Sequence, residues 1–248
     1  MGFTIAIAGK GGTGKTTIAA LLVKMLREAK KGSLLVVDAD PNSNLAEALG
    51  LEVDGTIGKI LDDVGEHPQK IPVSMPKDRY IEYEIHKAIQ EAEGFDLLTM
   101  GKPEGPGCYC YVNNVLRNVM DKLIKDYDYI VIDNEAGLEH LSRRTTRQAD
   151  VLLAVSDGTP VGLKAVKRIA ELVRELNIKT KKKLLLVNRM DKNIEADKIK
   201  DLGLEYIGNI PQDKKITRIS LKGSSLLGLD KAAKSIKALE KIGDKIWS

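Results

Sequence analysis

The chain has 248 residues, 30% of them charged and 43% hydrophobic. That balance excludes a disordered polypeptide, and the length allows one large domain or two small ones with ample core. Lys and Arg number 39 against 35 Asp and Glu, a net charge of +4. This excess is dispersed except at Lys179 to Lys183, so composition calls for neither nucleic acid nor an anionic membrane as partner. Aromatics are 4%, too few for a platform that stacks single-stranded nucleic acid, and no apolar run reaches membrane-spanning length. Met1 to Ala8 lacks the basic start of a targeting signal. The two cysteines, Cys108 and Cys110, are too close in sequence for an unstrained disulfide. A cytoplasmic protein is the expectation.

Taken in chain order, Phe3 to Ala8 reads as a buried strand, and Thr16 to Ala29 as a helix with apolar residues at three- to four-residue spacing. Strands are predicted at Leu34 to Asp38, Asp96 to Met100, Tyr129 to Asp133, Val151 to Ser156, Leu184 to Asn188 and Glu205 to Asn209. Helices are predicted at Val115 to Asp126, Pro160 to Leu176 and Ala232 to Ile246. The strands are continuous apolar runs, the pattern of a sheet covered on both faces. Their alternation with helices predicts an α/β fold, a doubly wound and mostly parallel sheet with helices on both faces. No linker divides the chain, so residues 1–248 read as a single domain. Residues 53–94 form an irregular insertion of helix and loop, broken by Pro68, Pro72 and Pro76.

The sharpest motif follows the first strand: Gly9-Lys10-Gly11-Gly12-Thr13-Gly14-Lys15-Thr16-Thr17. Gly9, four residues, then Gly14-Lys15-Thr16 is a phosphate-binding loop, in its proper place between strand and helix. Its glycines let backbone N–H groups turn inward around a phosphate. Lys15 is expected to neutralise the β- and γ-phosphates, and Thr16 to ligate Mg²⁺. Ile130-Val131-Ile132-Asp133 is an apolar strand ending in a carboxylate, the arrangement that holds the Mg²⁺ sphere of such sites.

Lys10 is a second lysine inside the loop that the bare motif does not require. With it, Gly9 to Thr17 resembles the deviant P-loop of the MinD/nitrogenase-iron-protein class of ATPases. That resemblance implies a homodimer in which Lys10 reaches the partner's nucleotide. It also implies that Asp38-Ala39-Asp40-Pro41 is a first switch segment, with Asp40 orienting or activating the attacking water and Asp38 supporting the Mg²⁺ shell. Asn134-Glu135-Ala136-Gly137 then resembles the second switch. By the same resemblance Asn188, in Val187-Asn188-Arg189, bonds adenine. Ile210-Pro211-Gln212-Asp213 closes the other side of the base, so that Arg189, Pro211 and Asp213 join the base site. Asn188 is not followed by the Lys-x-Asp of guanine-specific sites, which favours ATP/ADP over GTP. Both aspartates of the first switch have a structural alternative, capping the helix that follows.

Cys108 and Cys110 lie in Gly105-Pro106-Gly107-Cys108-Tyr109-Cys110-Tyr111, after the strand at Asp96 to Met100. In an extended segment residues i and i+2 share a side. Two thiolates cannot close a tetrahedral metal site, but a two-fold axis doubles them to four, a complete set for Zn²⁺ or Ni²⁺. With the cysteines, and with Asp133 to His140, the chain resembles the CooC-type nickel-insertion ATPases, which serve carbon monoxide dehydrogenase. The resemblance implies an ATP-hydrolysing metallochaperone that dimerises with ATP or metal, whose client metalloenzyme is carbon monoxide dehydrogenase or a relative. Two alternatives stand beside it. One is a reductase with an intersubunit [4Fe–4S] cluster, although Asp133 to Arg144 lacks the second cysteine of that branch. The other is a MinD/ParA-like spatial organiser, for which Ala233, Ile236, Leu239, Ile242 and Ile246 would form a membrane-lying stripe. The same stripe also suits a helix packed on the sheet, and neither nucleic acid nor membrane is expected as partner.

Overall fold

Five of the expected strands meet along the middle of one eight-stranded sheet. The computed structural model describes residues 2–102, 110–135 and 148–247, with the backbone alone for 110–117. In chain order the elements begin β1 (Phe3–Gly9), α1 (Lys15–Glu28), β2 (Leu34–Asp38) and α2 (Asn44–Leu49). Next come α3 (Ile57–Glu66), α4 (Lys77–Lys87), β3 (Gln90–Ala92), β4 (Phe95–Thr99), α5 (Cys110–Asp126) and β5 (Tyr129–Asp133). The last third holds β6 (Gln148–Ser156), α6 (Pro160–Glu175), β7 (Lys179–Asn188), β8 (Glu205–Ile210), α7 (Lys214–Leu221) and α8 (Lys234–Trp247). The strand order is β3-β4-β2-β5-β1-β6-β7-β8. All neighbours are parallel except β3 and β4.

The sheet is covered on both faces because successive residues of each strand are apolar and point opposite ways. In β1, Ile5 and Ile7 pack with α1 and α8, while Ala6 and Ala8 meet Ile169 and Val173 of α6. In β5, Val131 belongs to the first layer, and Ile130 and Ile132 meet α3, α4 and α5. This is the doubly wound sheet expected from the sequence. Its consequence for function is positional: β1, β2, β5, β6 and β7 all end on one edge, and their ends carry the polar motifs.

Three differences from the sequence reading have physical causes. The insertion 53–94 holds two helices and a strand. Thr56 caps α3 by accepting from the Lys59 N–H at 3.2 Å. Glu93-Gly94 reverses the chain, with Gly94 at φ 83°, so that β3 runs back along β4. Next, α5 starts at Cys110, five residues before the predicted Val115, because nothing between them breaks a helix. Cys110 is placed at the start of α5; Cys108 lies outside the described residues. Finally, β7 begins at Lys179, so the lysine run is strand. β8 pairs only from Leu184 onward, so Lys179 to Lys183 run beside β6 without β8 on their other side. Lysines on a strand edge oppose its pairing with another chain.

The stripe on the last helix is resolved as core. Ala233, Ile236, Leu239, Ile242 and Ile246 are all buried against the sheet and α1, so no apolar face of α8 is left to lie on a membrane. Among the described residues no helix is long and apolar enough to cross one.

Candidate nucleotide site

β1 delivers the chain into the loop at Gly9, which stands beside Val155 of β6. A Cβ on Gly9 would lie 2.3 Å from the Val155 carbonyl oxygen, so the close approach of loop to strand requires glycine. The loop then curls on itself: Thr13 donates from N to the Lys10 carbonyl at 3.3 Å and from Oγ1 at 2.9 Å. Beside Gly11 and Gly12 no heavy atom lies within 4 Å of where a Cβ would stand, so the loop looks onto open space. α1 opens directly from Gly14, at φ 91°, with no side-chain cap and no acidic residue in its first turn. Its first amides are free to meet an anion, as at other phosphate-binding helix starts. Lys15 is buried with 7% exposure, whereas Lys10 is exposed.

The metal-side groups converge across the sheet. Thr16 Oγ1 donates to Asp133 Oδ2 at 2.6 Å. The other oxygen of Asp133, Oδ1, is buried without a hydrogen-bond partner, as is Oδ1 of Asn134. Asn134 is fixed by two donations to the Ile7 carbonyl, from Nδ2 at 2.8 Å and from N at 3.2 Å. Burial pushes the Asp133 carboxyl up to about 7. Asp38 and Asp40 add to this, while the Thr16 hydrogen bond and Lys15 oppose it. A hydroxyl and a buried carboxylate oxygen with nothing to bond are hard donors that fit Mg²⁺.

Asp38 and Asp40 sit differently at the end of β2. Asp38 is fully buried, and burial raises its carboxyl to about 6. Its oxygens accept from Leu45 N at 2.9 Å and Asp40 N at 3.2 Å, so it caps α2 and pins the segment after β2. Asp40 is half-buried; its Oδ1 accepts from both N and Nδ2 of Asn42 at 2.9 Å, which fixes the carboxylate at the tip of the turn.

On the far side of α1 a cavity of about 330 Å³, within the range of small-ligand pockets, opens between Thr17, Asn188, Arg189, Pro211, Asp213 and Ile216. All four predicted base-site residues line it. Three of them are already engaged, Arg189 through a donation from Nη1 to the Gly12 carbonyl at 3.1 Å. Asn188 Nδ2 donates to the Thr13 carbonyl at 2.9 Å, and its Oδ1 accepts from Arg189 N at 3.0 Å. Asp213 caps α7 through Lys215 N at 2.9 Å and takes both N and Oγ of Ser235 at the start of α8. Burial alone would raise the Asp213 carboxyl, but these hydrogen bonds bring it below the ordinary value.

The sequence reading names Asn134 only within the second switch and Gln212 only within the segment that closes the base, and it does not name Ile216 as a pocket wall. It also passed over Asp157, whose carboxylate feels the charge of Lys10 besides burial and its bonds to Thr159. A turn-forming Asp-Gly-Thr-Pro after a strand was the available signal for Asp157; for Asn134 it was the place directly after the strand-ending Asp133. A larger cavity of about 1330 Å³ opens at the opposite strand edge, near Asp121, Asp150 and Arg174. No orphaned buried polar atom among the described residues lies there, so the loop edge is where the chemistry converges. Among the described residues no three His, Cys, Asp or Glu side chains are placed to hold a metal ion. Cys108 and the side chain of Cys110 lie outside that description, as does the second switch beyond Glu135.

Residues 4–226 match the CobQ/CobB/MinD/ParA nucleotide binding domain, and the chain belongs to that family. It is 45% identical over 247 residues to an uncharacterized ATP-binding protein of Methanocaldococcus jannaschii, covering 98% of this chain and 97% of that one. It is 29% identical over 244 residues to the carbon monoxide dehydrogenase accessory protein CooC of Rhodospirillum rubrum, covering 93% and 91%. Among solved structures, the septum site-determining protein MinD of Pyrococcus horikoshii, complexed with Mg-ADP, matches 100% of this chain and 97% of its own with a TM-score of 0.73 at 22% identity. The fold and the nucleotide-binding class are those expected from the sequence.

Proposed function

We propose that the chain hydrolyses ATP as a symmetric dimer and uses that cycle to assist metal insertion into a client metalloenzyme. The observation that carries the ATPase reading is the Thr16–Asp133 pair, with its unpartnered carboxylate oxygen, beside a loop whose helix has no cap of its own. Loop amides and Lys15 bind the β- and γ-phosphates and take up the charge that grows on the bridging oxygen. Thr16 and Asp133 would hold Mg²⁺, which when bound neutralises the phosphates. Asp40, fixed by Asn42, orients a water for in-line attack on the γ-phosphorus; the P–O bond to ADP breaks and phosphate leaves. Lys10 is exposed at the loop tip, free to reach a second copy's nucleotide.

The client side rests on Cys108 and Cys110 and on the likeness to CooC. Each chain brings two thiolates, so two chains supply the four that Ni²⁺ or Zn²⁺ takes as cargo. Carbon monoxide dehydrogenase is the client that the likeness names. Burial of the α8 stripe weighs against a membrane-riding organiser. The test is anaerobic titration with Ni²⁺ or Zn²⁺, with and without ATP. One metal per two chains is expected, with binding lost in Cys108→Ser or Cys110→Ser while ATP affinity is kept. One metal per chain, retained in the double variant, would move the site elsewhere and remove the metallochaperone reading.

A further inference from the structure

We propose that Arg189, working beside Asn188, is a positioning residue for the phosphate loop rather than a contact to the base. The proposal rests on the nucleotide reading above and assigns Arg189 a different part in it. Arg189 follows β7 in the left-handed region, at φ 60°, a conformation that strains a non-glycine residue. From there its Nη1 donates to the Gly12 carbonyl at 3.1 Å. Its own N–H is held by Asn188 Oδ1 at 3.0 Å, and Asn188 Nδ2 takes the next carbonyl of the loop, that of Thr13, at 2.9 Å. Two neighbouring side chains thus seize two consecutive carbonyls, 177 and 175 residues away in sequence.

A trans peptide points its C=O and N–H in opposite directions. Drawing the Thr13 carbonyl toward Asn188 therefore turns the Gly14 N–H away from Asn188, and drawing the Gly12 carbonyl toward Arg189 turns the Thr13 N–H back onto Lys10. The clasp sets which way the loop amides face. The fit leaves no slack: a Cβ on Gly14 would stand 2.3 Å from Asn188 Nδ2. Each end of the Asn188 carboxamide carries one bond inside the protein, and its second N–H and second lone pair are what it keeps for a base edge.

A probe without a base separates the two roles. Inorganic tripolyphosphate and ATP are titrated against the wild type, Arg189→Gly and Arg189→Lys, with melting temperature as the check on folding. Arg189 is exposed and glycine accepts its backbone angle, so Arg189→Gly is expected to fold. A loop-positioning arginine weakens both probes together, by about tenfold, and Arg189→Lys, which keeps a donor, recovers part of the loss for both. Weakening of ATP alone would make Arg189 a base contact, and no change in either would make it a surface residue; each result overturns the proposal. Wild-type protein that binds neither probe would instead sink the nucleotide reading, and this inference with it.

Discussion

Asp133 keeps its proton up to about 7 in the folded chain, against 3.8 for an unperturbed aspartate, because it is buried beside other carboxylates. Between those values the folded state binds more protons than the unfolded one, so the stability of the ligand-free protein falls as pH rises through that window. Asp38, raised to about 6, adds a smaller slope of the same sign. Asp133→Asn keeps an acceptor for Thr16 but abolishes the titration. Melting curves between about pH 5 and 8 should show a shallower decline for the variant, and at pH 8 it should exceed the wild type by more than ~1 kcal/mol. A variant as steep as the wild type would place the proton on another group. These carboxylates were legible because each ends an apolar strand. What they bond was not: Asp38 works through backbone N–H groups, and no side-chain pattern reveals those.

α8 is an element whose role changes with its surroundings. The spacing of Ile236, Leu239, Ile242 and Ile246 fits a membrane-lying helix as well as a packed one, and only burial decides. Leu239 has no exposed surface, so Leu239→Ala should cost about 2–5 kcal/mol of unfolding free energy, read from urea denaturation at unchanged slope. A loss under ~1 kcal/mol would mean that the helix is not docked as described. Elements with a continuous apolar run, such as β1, β2 and β5, were readable almost to the residue, since burial on both faces writes itself into every position. β3 has three residues, none fully buried, and α7 has no fully buried residue. β3 is too short for a periodicity, and α7 is a short helix with Ile216 and Ile219 as the pair it packs on the core; both are held by what they lie against.

For the whole molecule the issue is what one chain leaves undone. Lys10 extends from the phosphate loop, near Asp157 but with no ion pair between them among the described residues. In the proposed dimer that charge acts on the partner's phosphates. Lys10→Ala should therefore still bind ATP as a monomer, while losing ATP-dependent dimerisation in size-exclusion light scattering, or hydrolysing at least ~10-fold more slowly. Normal turnover by a monomeric Lys10→Ala protein would show that the second lysine has no role across the axis. For Lys10 the expectation of a dimer comes only through resemblance, because one lysine carries no geometry. The cysteine pair adds its own demand for a two-fold axis, since two thiolates per chain make four only across one.

The missing cap of α1 has a consequence for how the empty protein behaves in time. Three of the described helices close their first turn with the side chain of their own N-cap, Thr56, Thr159 and Asp213. α1 relies on whatever anion arrives. Its opening turn is then a place where amide hydrogens trade with solvent until nucleotide docks, and where docking registers as slowed exchange. The helix that spans the centre of the first layer is finished by its ligand, so occupancy and local order in the protein rise and fall as one quantity.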